Sequence, residues 1–280
     1  MAKWARFFHV SQSGYYSYIK RHEQRLRDEA AFKEEIKRIF KESGGTYGPN
    51  RIRGALRQKG KKASYRKVSR FMSDMGLQSI YNRHKKTRSL TDSRESRGEG
   101  FPNLLRGKVF ERPKMAVVSD ITYLRSEEGW LYHCVVKDIV SGEILGESSG
   151  ERVKKELVIT AFLNAQSRRN FAPGAIFHSD RGSQYTSHEF METLKVYGIK
   201  QSFSRVGMPG DNAWAESFFA TLKKECIHHR HFKTREELAQ TVFAWINGFY
   251  NTRRVQARLG YLPPKAYAAM MLLEHERSAA

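Results

Sequence analysis

The order of hydrophobic periods in this chain predicts an α/β domain built on a mixed sheet, preceded by a basic all-helical module. Three observations carry that prediction. From residue 115 onward three β-type runs follow one another, AVVSDITYL, WLYHCVVKDIV and EILGESS, joined by short turns at Glu127-Glu128-Gly129 and Ser141-Gly142. After them helical and strand periods alternate, and hairpin strands followed by alternating units build a mixed sheet with helices against it. Residues 29–81 carry helical periods only. Charge divides the chain in the same way: residues 1–112 hold 28 basic and 11 acidic side chains, and residues 113–280 hold 22 and 18.

The 280 residues are 40% hydrophobic and 12% aromatic, which excludes wholesale disorder and leaves room for a full core plus a smaller module. No run of eighteen apolar residues exists, and the amino terminus lacks a signal-peptide core, so no membrane partner and a cytosolic location are expected. Two cysteines, Cys134 and Cys226, make no disulfide framework. A net charge of +21, concentrated in the first part, suits a polyanionic partner, and nucleic acid is the expectation.

Residues 1–28 read as a basic helical segment whose Tyr15, Tyr16 and Tyr18 are expected to pack against a neighbouring helix. Residues 29–81 read as a helix-turn-helix-like module. Phe32, Ile36, Ile39 and Phe40 give a helix from Glu29 to about Ser43, ended by Gly44-Gly45. A short second helix turns Ile52, Ala55 and Leu56 inward and Arg51, Arg53 and Arg57 outward. Ser64 caps a third, with Val68, Phe71, Met72 and Met75 at helical spacing and Arg66, Lys67 and Arg70 on its outer face. Arg51, Arg53, Arg66, Lys67 and Arg70 are thus the candidate DNA contacts. Residues 82–114 are polar and charged and read as a linker or connector.

Within residues 115–268 the period predicts a helix over Glu151–Arg169, a buried strand over 174–178, a helix over 187–197 and a strand over 199–203. A Gly/Pro loop then leads to a helix capped by Asp211 or Asn212 and reaching Glu225, and a further helix covers 234–250. Residues 269–280 are left as a tail.

The chemistry concentrates in three acids. Asp120 lies in one apolar run and Asp180 ends another, while Glu216 stands near the start of a helix, with 35 residues between it and Asp180. A carboxylate in or at the end of a buried strand needs compensation, and a cation supplies it. Three such acids on separate elements suit two Mg²⁺ ions, which would activate a water or a 3′-hydroxyl at a phosphodiester. On the helix after Asn212, Phe218, Phe219 and Leu222 share one side. Lys223, seven residues past Glu216, returns to within about 20° of it, placed for a DNA phosphate. His178, two residues before Asp180, shares its face and could bear on the site, although a lone histidine is more often structural. Cys226, His228, His229 and His231 suggest zinc by type, but their spacing fits no finger and they read instead as part of a basic surface.

Four motifs, SDITYL at 119–124, HSDRGSQYTS at 178–187, SRVGMPGDNAWAESFFATLKKE at 204–225 and FYNTRRVQARLGYLPPKAY at 249–267, make the chain resemble the second-reading-frame product of the IS-three group of bacterial insertion-sequence transposases. The segment YGPNRIRGALRQKGKKASYRKVSRFMSDMGL resembles that family's helix-turn-helix module, and FPNLLRGKVF its connector. The resemblance implies a ribonuclease-H-like, retroviral-integrase-like core in which Asp120, Asp180 and Glu216 are the catalytic, metal-holding DDE triad and Lys223 the basic residue that follows it. It implies two Mg²⁺ ions, replaceable by Mn²⁺, element-end and target DNA as partners, self-association on DNA, and an upstream-frame partner or fusion in a bacterial, nucleoid-associated setting. Departures from the pattern are Val117 where Trp is common, Gly142 and Glu143 where a basic pair is usual, and Gln256 where His is usual. A hydrolytic nuclease without strand transfer, and a DNA-binding regulator with an inert core, are the alternative readings.

Overall fold

The computed structural model describes residues 11–82, 102–169, 171–205 and 213–279. The chain divides into two units, Met1–Lys85 and Lys86–Ala280.

In the first unit, helix α1 (Gln12–Glu42) starts where Ser11 Oγ accepts from Gly14 N–H and runs without a break through residue 28. Its amino-terminal turns bury little, and Tyr16 and Tyr18 are each 59% exposed rather than packed. This is why the apolar period in the sequence begins only near residue 29. Ile36 and Ile39 bury against α2 (Pro49–Gln58) and α3 (Tyr65–Asp74), which contribute Ile52, Leu56, Val68, Phe71 and Met72. Gly54, not Ala55, takes the inward place on α2. Ser64 caps α3 through Lys67 N–H, and Gly60 and Gly76 end the turns at φ values of 73° and 66° that side chains with a Cβ resist. The Glu35 carboxylate ties the bundle together by meeting Arg38, Lys59 and Lys61.

The second unit is a five-stranded sheet in the order β3-β2-β1-β4-β5. Strands β1 (Ala116–Ser126), β2 (Gly129–Asp138) and β3 (Ile144–Gly150) form the antiparallel meander. Strands β4 (Ile176–Ser179) and β5 (Lys200–Phe203) add to it in parallel beside β1. Between them lie α4 (Lys155–Arg169) and α5 (His188–Val196). Helix α4 begins four residues later than the sequence predicts, because residues 151–154 form a bend between the end of β3 and the helix. After β5 come α6 (Ala213–Leu222) and a π-helical turn (Lys223–Ile227), then α7 (Arg235–Trp245) and a second π-helical turn (Ile246–Tyr250), and last α8 (Pro264–Ala279). Asp211 and Asn212, the expected caps of α6, lie outside the described residues.

The sheet is covered on both faces. Against α4 and α5, Phe162 meets Phe177, Phe190 and Tyr197 edge to face at centroid distances of 5.8, 6.3 and 5.5 Å. Each of the fully buried rings, Phe162, Phe177 and Phe190, contributes about 1.5–3 kcal/mol by burial. On the other face Leu124, Leu131 and Val135 meet Phe218, Phe219 and Leu222 of α6 and Leu238 and Val242 of α7. Gly146 on β3 lets α4 approach: a Cβ there would stand 2.3 Å from the Ala161 carbonyl oxygen and 2.4 Å from the Ala165 nitrogen.

The final motif of the chain is structural. Asn251 brackets Ile144 as a strand would, its Oδ1 accepting from Ile144 N–H and its Nδ2 donating to Ile144 C=O, both at 2.9 Å. Tyr250 donates to the Gly142 carbonyl, and Arg254 forms a two-pronged ion pair with the buried Glu225 at 2.7 and 2.8 Å. At Gly142, with φ +70°, the Arg258 guanidinium occupies the space a Cβ would need, so cationic groups from elsewhere crowd the hairpin turn that lacks a basic pair of its own. Val117 is buried in the α4-side core. At Gln256 the backbone closes the turn, its carbonyl accepting from Leu259 and Tyr261 N–H.

Candidate metal and DNA site

Register places the two aspartates. Parallel strands β1 and β4 pair Val118 with His178, and each carries an aspartate two residues further on, Asp120 and Asp180. Neighbouring strands run about 4.8 Å apart, so equal steps past a shared register bring the two carboxylates to the same carboxyl end of the parallel pair. That end is where α/β sheets bind ligands. Asp120 also faces Val135 of β2, on the face that carries α6.

Asp120 is the electrostatic centre. Burial raises its carboxyl pKa first and the charge of Asp180 second, to about 7. The Ile121 N–H that donates to Oδ1 at 2.9 Å opposes this, and the charge of Glu216 adds to it. Asp180 is open to solvent by surface area, yet enough protein crowds its carboxyl to push it up as well, against the donation from Gly182 N–H at 3.0 Å.

Glu216 lies on the exposed side of the first turn of α6, while Ala215, Phe218, Phe219 and Leu222 bury into the core, as the helical period predicts. Lys223 is half-buried at the start of the π-helical turn, its Nζ 5.0 Å from the Tyr123 ring centre. Burial lowers its ammonium pKa and Asp120 opposes the shift. The fold thus brings Asp120, Asp180, Glu216 and Lys223 within electrostatic reach around Asp120. Among the described residues no three His, Cys, Asp or Glu side chains close into a ready ligand cluster.

Other candidates fall elsewhere. His178 is fully buried with Nδ1 2.8 Å from Ser202 Oγ and Nε2 3.1 Å from Ser204 Oγ, an arrangement that pins β4 to the segment after it and keeps the ring off the site. Cys226 sits in the core with its thiol pushed up to about 11 by burial, whereas His228, His229 and His231 are exposed, so one core residue and a surface replace any zinc cluster. In the first unit Arg66, Lys67 and Arg70 are exposed on α3. Arg51 and Arg53 are half-buried, and the Arg51 guanidinium lies over the rings of Tyr47 and Tyr81.

Two supporting groups carry little signal in the sequence. Tyr185, wholly buried, places its hydroxyl 2.9 Å from Ser119 Oγ, directly behind Asp120. Lys137, the one cation in the run WLYHCVVKD, is buried and donates from Nζ to the Trp214 carbonyl at 2.6 Å, tying the first turn of α6 to β2. Burial lowers its ammonium pKa to about 7.

Residues 111–209 match the integrase core domain model, residues 197–264 a second integrase core domain model, and residues 26–85 an HTH-like domain model. The chain is 38% identical over 236 residues to the transposase for insertion sequence element IS904 of Lactococcus lactis subsp. lactis (strain IL1403), covering 84% of this chain and 92% of that protein. It is 34% identical over 270 residues to transposase InsF for insertion sequence IS3A of Escherichia coli (strain K12), covering 94% and 91%. A chain of the simian T-cell lymphotropic virus intasome in complex with PP2A regulatory subunit B56 gamma is 14% identical, covering 77% of this chain and 70% of that one, at a TM-score of 0.49.

Proposed function

We propose how this chain, which belongs to the IS-three group of insertion-sequence transposases and is therefore a polynucleotidyl transferase, performs its reaction: Asp120, Asp180 and Glu216 hold divalent ions and Lys223 steadies a DNA phosphate. The observation that carries this reading is the state of Asp120, crowded, poor in water and next to a second carboxylate. Such a pair lacks positive charge, and oxygen-only ligands of this kind suit Mg²⁺, with Mn²⁺ able to replace it. Bound there, two ions would supply the charge that activates a water or a 3′-hydroxyl and stabilises the departing oxygen.

The protein groups do the rest. Asp120 and Asp180 are fixed by strand register and by backbone donors, and so present their oxygens in a set direction. Glu216 completes the set from α6, whose first turn Lys137 anchors. The half-desolvated Lys223 ammonium sits where a phosphate would also meet Asp120. In the first unit, exposed Arg66, Lys67 and Arg70, together with half-buried Arg51 and Arg53, track the DNA backbone. Because transposition joins two element ends, the working form is a dimer or larger assembly on paired DNA ends in the bacterial cytoplasm, alone or with an upstream-frame partner.

Oligonucleotide ends incubated with Mg²⁺ or Mn²⁺ test the site. Wild-type protein yields cleaved and joined strands, and Asp120→Asn and Glu216→Gln reduce both to background while DNA binding holds and both variants still melt cooperatively. Cleavage without joining in the wild type identifies a hydrolytic nuclease, and full activity in either variant removes that residue from the site.

A further inference from the structure

The hairpin of β1 and β2 carries two large aromatic side chains outside either core. Tyr123 is 45% exposed and Trp130 is 43% exposed. Their rings meet edge to face at 5.4 Å, each beside a cation: the Arg125 guanidinium lies 5.0 Å from the Trp130 ring centre, and Lys223 Nζ lies 5.0 Å from that of Tyr123. The pair is held rigidly. Glu127 N–H donates to the Phe232 carbonyl, Arg235 N–H donates to Glu128, and Arg235 Nε donates to the Trp130 carbonyl, so the hairpin tip is tied to the start of α7.

Its place is equally specific. Pairing of β1 with β4 ends at Val118, so from Asp120 to Tyr123 the strand is open on that side among the described residues. Tyr123 lies three residues past Asp120, about 10 Å along the strand and on the opposite face of the pleat, so a DNA strand leaving Asp120 would reach it around the open edge. Lys223 spans the open edge, sensing Asp120 and capping Tyr123.

We propose that Tyr123 and Trp130 form a stacking platform for an unpaired nucleobase of the DNA strand whose phosphate enters the Asp120 site. Exposed rings beside cations combine the two features by which proteins hold single strands, π-faces for the bases and positive charge for the phosphates. Arg125 and Lys223 meet the backbone on either side of the stacked base. The platform favours an end whose last pairs are frayed, because a base inside the duplex already has both faces stacked on its neighbours. This inference rests on the reading of Asp120 as the site where DNA reacts.

Fluorescence of 2-aminopurine placed in the unpaired arm of a forked oligonucleotide tests it with the full chain. Binding quenches the probe in the wild type. Alanine at either ring, Tyr123→Ala or Trp130→Ala, removes the quenching and weakens forked or single-stranded DNA by roughly 5- to 150-fold per ring. Affinity for blunt duplex changes less than twofold. Tyr123→Phe and Trp130→Phe restore stacking, and unchanged melting curves show that the alanine proteins fold. Equal loss on forked and blunt DNA, no loss on either, or a change in self-association without a change in DNA affinity overturns the platform. Quenching by a wild-type protein without metal-dependent cleavage supports the platform and overturns the catalytic reading. Cleavage and joining without quenching does the reverse.

Discussion

At Asp120 two unfavourable effects add, since burial strips water from the carboxylate and Asp180 brings a like charge beside it. The folded carboxyl therefore protonates near 7, against about 3.9 for a free aspartate. Its pKa is raised on folding, so its contribution to stability is full below the unfolded value and is lost as pH rises through about 7. In metal-free buffer at pH 8, Asp120→Asn is expected to melt above the wild type by several degrees, at about 2–4 °C per kcal/mol for a unit of this size. At pH 5, only about one unit above the unfolded value, the gap between the two should narrow to about a third. Adding Mg²⁺ should raise the wild type only. Thermal melting at the two pH values, with and without the ion, decides it; an asparagine protein less stable than wild type at pH 8 contradicts the account.

Elements meet most closely where α4 crosses β3. Ala161 and Ala165, one turn apart, face Gly146, and the helix backbone fills the space a methyl would need. Gly146→Ala should therefore push helix and sheet apart and cost about 3 kcal/mol or more, read as a lowered denaturation midpoint with the slope unchanged. Legibility in the sequence follows the reach of each interaction. Glu216, Phe218, Phe219, Leu222 and Lys223 were readable because one helical period orders them. Asp120 and Asp180 stood out as single acids in apolar runs, although the register that makes them neighbours is a pairing of strands some 60 residues apart, which no local period encodes. The role of His178 stayed open for the same reason: its partners, Ser202 on β5 and Ser204 just past it, are not yet paired with it in a linear reading. The resemblance marked Tyr250, Asn251 and Arg254 without their purpose, because Asn251 serves a backbone 107 residues earlier.

On the scale of the whole molecule the net charge of +21 sets how DNA is held. Binding that releases counterions weakens with salt at a slope of about −0.9 per phosphate contact. If the exposed cations of α3 touch phosphates, Arg66→Ala and Arg70→Ala should each lower that slope by about one and weaken all DNA sequences alike. Fluorescence anisotropy across a salt series measures both quantities, and a sequence-dependent loss would instead assign the residue to base contacts. Strand chemistry at saturating DNA should be unchanged in both variants, since their α3 positions lie in Met1–Lys85 whereas the acids lie in Lys86–Ala280.

The bonds from Asn251 to Ile144 also order events in time. β3 is the outermost strand of the sheet, and its first residue gains a partner on that side from a side chain 107 positions later. At about 5–20 residues per second, a ribosome takes on the order of ten seconds to deliver that partner. During this interval the growing chain has its meander but not the clasp on its rim. An exposed strand rim is a template for other chains. The nascent protein is thus expected to be most prone to self-association before the clasp arrives, and a chain truncated before residue 251 to stay so.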